Sequence, residues 1–159
     1  MVCPARPENL QGVAGSGGVV SYLKISMKDN FSATLMKKLH EAGPKAGHAV
    51  AVQIEKDTEP FVPARTKSLA NKTQVVDGSI IYPGPYARFL YNGKLMIDPG
   101  TGSAWARKGA TKVVTGTDLN ISTAVHSQAQ AHWFEPSKAQ NLDKWVRVAG
   151  KAVDSELNN

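Results

Sequence analysis

Four histidines, His40, His48, His126 and His132, are the side chains best suited to metal ligation or proton transfer near neutral pH. None stands at a spacing such as H-E-x-x-H, which would put two imidazoles on one helix face. His132 and Glu135 can share a helical turn, but two ligands do not complete a metal site. Cys3 is the only cysteine, which excludes an internal disulfide and a cysteine-based zinc site. It lies in a segment with no electropositive pocket to activate its thiol. Pro99-Gly-Thr-Gly-Ser103 faintly resembles a phosphate cradle, yet it lacks the G-x-x-x-x-G-K-[ST] spacing and opens no helix. It reads as a turn. No G-x-S-x-G elbow occurs, and the carboxylates are scattered rather than paired for acid–base work. The expectation is a protein with no catalytic residues, no metal site and no cofactor, and therefore not an enzyme.

What remains is the chemistry of contact. From Phe61 to Lys112 the chain carries Arg65, Lys67, Lys72, Arg88, Lys94, Arg107, Lys108 and Lys112 against Asp77 and Asp98. That excess equals the whole net charge of +6, so the flanks are nearly neutral. A basic band suits a polyanion such as DNA, an acidic protein face, or simply a solvated surface. Aromatic residues are too sparse within it to form a base-stacking platform. Trp105, beside Arg107 and Lys108, is the best exposed aromatic for a partner contact, with a small packed cluster beneath a loop as the other reading. Arg65 and Arg88 read as ion-pair formers, within the fold or across an interface. Tyr86, Phe89 and Tyr91 read as packing residues between core and edge, with an interface role second. The candidate subunit or partner interface is thus Arg65, Tyr86, Arg88, Tyr91, Trp105, Arg107 and Lys108. Trp133, Phe134 and Trp145 read as anchors of the last helix.

These residues need elements to hold them. At 159 residues with 42% hydrophobic and 20% charged content, the chain can bury a real core as one domain. No apolar run approaches the ~20 residues that cross a membrane, and no secretory leader is visible, so a soluble protein made in the cytoplasm is expected. Residues 1–18 read as a flexible arm, because Gly12-Val-Ala-Gly-Ser-Gly-Gly18 has little with which to build a core. The single domain is then 19–159.

Val19 to Ser26 alternates with a two-residue period and reads as a strand. A helix broken at Gly43-Pro44 runs from Asp29 to Asp57. Asp29, Asn30 or Ser32 can cap it, and Phe31, Leu35, Leu39, Ala46, Val50 and Ile54 form its stripe. Gln74 to Tyr82 reads as a hairpin around Asp77-Gly78, the dipeptide that accepts positive φ at both turn positions. Pro83-Gly-Pro85 breaks the second strand, and Tyr86–Tyr91 is a short aromatic element of open type. Residues 92–112, rich in glycine, read as a long loop or protruding hairpin. Val113 to Ala131 reads as a strand or extended return. The last helix opens near Pro136, with Ala139, Leu142, Trp145, Val146, Ala149 and Val153 at helical spacing. The fold expected is α+β: a small antiparallel sheet with a hairpin, packed against the broken helix and the C-terminal helix.

Three stretches, in order, resemble the neck or tail-completion family of tailed phages, whose members are often labelled minor capsid proteins. Pro60-Phe-Val-Pro-Ala-Arg-Thr-Lys-Ser-Leu69 is similar to the family's "vPv-R-T-G-x-L" helix exit, with Lys67 where glycine is usual. Ile81-Tyr-Pro-Gly-Pro-Tyr-Ala-Arg-Phe-Leu-Tyr-Asn-Gly93 is similar to its "PYA-x-x-x-x-x-G" element. His132-Trp-Phe-Glu-Pro-Ser-Lys138 is similar to its "HWFE-x-A-K" lead into the last helix. The resemblance spans Val19 to Val153. It implies a virion protein of the head–tail neck that assembles in the host cytoplasm as a ring with itself, a hexamer being expected. The partners implied are adjacent connector, stopper, tail-terminator or tail-tube proteins, with non-specific contact to DNA in the lumen. The competing readings are a small basic nucleic-acid-binding module and a hydrolase with an unrecognised site.

Overall fold

A computed structural model describes residues 22–27, 31–64, 68–84, 86–107 and 109–158. The expected arm 1–18, the start of the first strand, the capping candidates Asp29 and Asn30, and Arg65, Lys67 and Lys108 lie outside the described residues.

The first strand, β1 (Tyr22–Ser26), buries Leu23 and Ile25 and exposes Lys24, as two-residue alternation requires. Helix α1 (Ala33–Ala42) follows. Of the three capping candidates Ser32 is seen in that role, its hydroxyl accepting from Leu35 N at 3.3 Å. Gly43, at φ +94°, ends α1, and Pro44 opens α2 (Pro44–Thr58) at its first position, where a missing N–H costs nothing. The break falls where the sequence placed it. Ala46, Val50, Ala51 and Ile54 form the buried face of α2. A 3-10 turn, Glu59–Phe61, and the short α3 (Ser68–Asn71) lead to β2 (Gln74–Val76).

The hairpin from β2 to β3 (Ser79–Pro83) turns on two residues alone, because Val76 faces Ser79. Asp77 at φ +45° and Gly78 at φ +67° take the left-handed conformation that such a turn demands. Three strands then form an antiparallel sheet in the order β1-β3-β2, with Leu23 opposite Tyr82 and Ile25 opposite Ile80. These four side chains enter one core with Leu39, Val50, Ile54, Trp133, Phe134 and Trp145.

The short aromatic element is a helix, α4 (Tyr86–Asn92). The glycine-rich region and the start of the polar return are strands that pair with each other rather than with the main sheet. β4 (Lys94–Ile97) and β5 (Val113–Asp118) form a separate two-stranded antiparallel sheet. Among the described residues there are thus two small antiparallel sheets, the second being a hairpin, one of the two readings offered for 92–112, extended into the polar return.

The last helix, α5 (Phe134–Leu157), starts earlier than Pro136, which sits in its first turn. It packs along α2 and α1. Its buried face is Phe134, Ser137, Trp145, Ala149 and Val153, whereas Ala139 and Val146 are exposed, which corrects the broader stripe read from the sequence. Spacing of apolar residues missed Ser137 because its burial depends on a partner in another helix. Its hydroxyl pairs with that of Thr58 at 2.9 Å, so neither buried group is left unsatisfied.

Beside that pair, Asp57 clamps α2 to α5. It accepts from Trp145 Nε1 at 2.9 Å, Lys144 Nζ at 2.6 Å and Gln53 Nε2 at 3.1 Å. Burial by itself pushes the Asp57 carboxyl up. The hydrogen bonds from Lys144, Trp145 and Gln53, with the Lys144 charge, outweigh burial and hold it below the usual carboxylate range.

Candidate assembly surface and the joint that carries it

Among the described residues, no group of three or more His, Cys, Asp or Glu is arranged to hold a metal ion, and no helix is long and apolar enough to cross a membrane. The Pro99–Ser103 segment is an ordered turn whose amides are already engaged. Asp98 caps it twice: its carboxylate accepts from Gly100 N at 2.8 Å, and its carbonyl accepts from Thr101 N at 3.3 Å and Gly102 N at 2.8 Å. Ser103 N donates to Thr101 Oγ1 at 3.4 Å. A phosphate would have to compete with these bonds, and the adjacent Asp98 carboxylate would repel it.

The two sheets divide the labour of the molecule. β3 buries Ser79, Ile80 and Tyr82, while no residue of β4 or β5 is buried. The hairpin of β4 and β5 instead presents apolar side chains to solvent: Trp105 is 86% exposed, Val114 61% and Val113 44%. Exposed apolar groups cost free energy in water and suit a surface that another molecule covers. Arg107 is exposed next to Trp105, and Trp105 N donates to Ser103 Oγ at 3.1 Å, which fixes the backbone that carries the indole. Lys94 pairs with Asp118 across the hairpin, and Lys112 Nζ donates to Ala104 O at 2.6 Å. Two cations of the basic band thus brace the hairpin, while Lys72 and Arg107 stay exposed.

The other candidate residues fall elsewhere. Tyr86, at the start of α4, is 65% exposed. Arg88 is half-buried, with its Nε buried and without a hydrogen-bond partner among the described residues. Tyr91 is also half-buried and lies inside a cluster of rings. Its ring meets Trp133 edge-on at 4.8 Å between centroids and His132 at 5.1 Å. Trp133 in turn meets Tyr82 at 5.4 Å. Burial pushes the Tyr91 phenol up to about 12, with the Glu135 charge adding to the effect, and burial pushes the Tyr82 phenol up as well. Both rings are neutral packing groups near pH 7. Phe134 stacks on Trp145 at 5.9 Å, and Phe31 meets Trp145 edge-on at 6.5 Å.

These rings give the sequence motifs a physical meaning. In the second motif, Ala87 is fully buried and Gly93 caps α4, its N–H donating to Phe89 O at 3.0 Å. Gly93 has φ +64°, and a Cβ built there would stand 2.6 Å from Ala131 Cβ. Only glycine fits. In the third motif, His132 adopts φ +50° and its N–H donates to Tyr91 O at 2.8 Å, turning Trp133 into the core. In the first, Phe61, Val62 and Ala64 are buried, and two carbonyls hold the 119–133 segment: Phe61 O accepts from Gln130 N at 3.2 Å, and Val62 O from His126 Nδ1 at 2.7 Å. His126 donates through Nδ1 and so serves as a strut, a role for which single-sequence spacing gave no signal. All three motifs converge on one joint, which fixes α4, the base of the hairpin and the start of α5.

Over residues 25–118 the chain matches a family model described as minor capsid protein, a stretch that runs from β1 through β5 and includes the first two motifs. No curated protein and no solved structure shows significant similarity to it. The match covers more than half of the chain, and the chain belongs to the phage minor capsid protein family, a structural component of the virion.

Proposed function

We propose that the protein is a ring-forming subunit of the phage head–tail neck, a connector that joins the portal or adaptor side to the tail around the DNA channel. Membership of a virion structural family supports a part that works by fitting against other parts. The observation that carries the reading is the β4–β5 hairpin, which stands on a buried joint and presents Trp105, Val113 and Val114 to solvent. A ring subunit needs a rigid body and at least one apolar edge that a neighbour covers, since head-to-tail contacts between identical copies close into rings. Trp105 beside Arg107 has the composition of an interface anchor. Tyr86, exposed at the start of α4, belongs to the same reading. Exposed cations such as Lys72 and Arg107 suit DNA passing through a lumen, where backbone phosphates are met without base readout.

Light scattering on the purified protein, from low to high concentration, tests this. The expected species approaches six copies of the 17.0 kDa chain, and Trp105→Ala shifts it toward the monomer. A monomer at every concentration that binds DNA with steep salt dependence would favour the nucleic-acid-binding module instead.

A further inference from the structure

The core holds the β4–β5 hairpin weakly, since no residue of β4 or β5 is buried. Its main packing is β5 on β4, with β4 resting on α4, whereas in the three-stranded sheet β3 is flanked by a strand on both sides. Its polar bonds close upon themselves. Lys94 pairs with Asp118, Thr115 Oγ1 donates to Leu95 O at 2.8 Å, and Thr117 N donates to Thr115 Oγ1 at 3.2 Å. The Asp98 turn and the Lys112–Ala104 bond are also internal. The ladder is irregular besides: Lys94 faces Asp118 while Met96 faces Val114, so β5 bulges around Gly116. At the base, Leu119 N donates to Gly93 O at 2.8 Å, on the residue that caps α4.

A two-stranded hairpin with no buried residue is marginal in water, because few contacts oppose the entropy of opening it. Core strands open only when the whole domain does, whereas such a unit opens by itself. We infer that the β4–β5 hairpin is a hinged arm that opens and closes independently of the core, pivoting at Gly93 and Leu119. The body side of the pivot is fixed by the ring cluster around Trp133, so the arm moves and its base does not. An arm of this kind is ordered by whatever it docks against, and its opening sets how far Trp105 can reach.

Amide hydrogen exchange on the full chain tests the inference. The amides of β4 and β5 exchange on the order of 100-fold faster than those of β3 under native conditions. Low denaturant accelerates exchange in β3 and leaves the β4–β5 rates flat, because a local opening exposes little new surface. Asp118→Asn, which removes the cross-strand ion pair, speeds exchange in β4–β5 and leaves β3 unchanged. Equal protection in both sheets, or rates that rise in parallel with denaturant, overturns the hinge and shows one cooperative unit.

Discussion

Gly93→Ala tests the joint directly. Gly93 is held at φ +64° as the cap of α4, and a Cβ there would stand 2.6 Å from Ala131 Cβ. Two costs add. Placing an L-residue in the left-handed region costs roughly 1–2 kcal/mol. Forcing a methyl against a neighbour in a packed joint costs roughly a further 1–3 kcal/mol. The reduced freedom of the unfolded chain returns about 0.4–1 kcal/mol. The expected net loss is about 1–4.5 kcal/mol. Gly102→Ala separates the two costs, because Gly102 sits at φ +66° with nothing within 4 Å of the added Cβ. It shares the backbone cost and lacks the clash. The assay is guanidinium unfolding followed by tryptophan fluorescence, which reports on the buried Trp133 and Trp145. Swinging the hairpin does not relieve the clash, since Gly93 is the pivot itself, held by its N–H to Phe89 O, and stays against Ala131 whichever way the arm moves. If Gly93→Ala falls within about 0.5 kcal/mol of Gly102→Ala, the 119–133 segment yields freely and the joint is not rigid.

Three further substitutions address the core. Asp57→Ala leaves the indole N–H of the buried Trp145 unpartnered and removes a half-exposed ion pair with Lys144, for an expected loss of about 2–3 kcal/mol by denaturant titration; a loss below about 1 kcal/mol would mean that the clamp contributes little. Because Asp57 titrates below its unfolded value, its contribution is present above the ordinary carboxylate range and is lost as pH falls through the lower, folded value. Stability measured against pH in Asp57→Asn therefore lacks that part of the acid loss, and an unchanged acid limb would assign it to other groups. Tyr82→Phe removes a buried hydroxyl whose contact with the Trp133 indole N–H falls short of full hydrogen-bond geometry, so stability changes by no more than about 1 kcal/mol; a loss beyond about 1.5 kcal/mol would reveal a well-formed bond to that hydroxyl.

Local chemistry was legible in the sequence wherever it acts over a few residues. Asp77-Gly78 specified a tight turn because few dipeptides tolerate positive φ twice, and Gly43-Pro44 specified the helix break for equally local reasons. The alternation of Leu23 and Ile25, and the stripe of Ala46, Val50 and Ile54, marked buried faces by spacing alone. The absence of catalytic spacings pointed the reading toward contact rather than chemistry, and the motif order pointed to the minor capsid family that the family model matches.

Only the tertiary structure decided which contacts are long-range. That the glycine-rich region pairs with Val113–Asp118 as a second sheet depends on residues far apart in the chain, whose weak alternation carries no pairing information. The burial of Ser137 needed Thr58, the strut His126 needed the Val62 carbonyl, and the motif residue Tyr91 turned inward because Trp133 and His132 meet it there. Gly93 shows the division most plainly. Its position at the end of α4 could be read as a helix stop, but that only glycine fits there follows from Ala131, which the chain reaches after the whole hairpin has been built. Sequence determines what each segment can do alone; packing decides which of those possibilities another segment, brought close by the fold, leaves open.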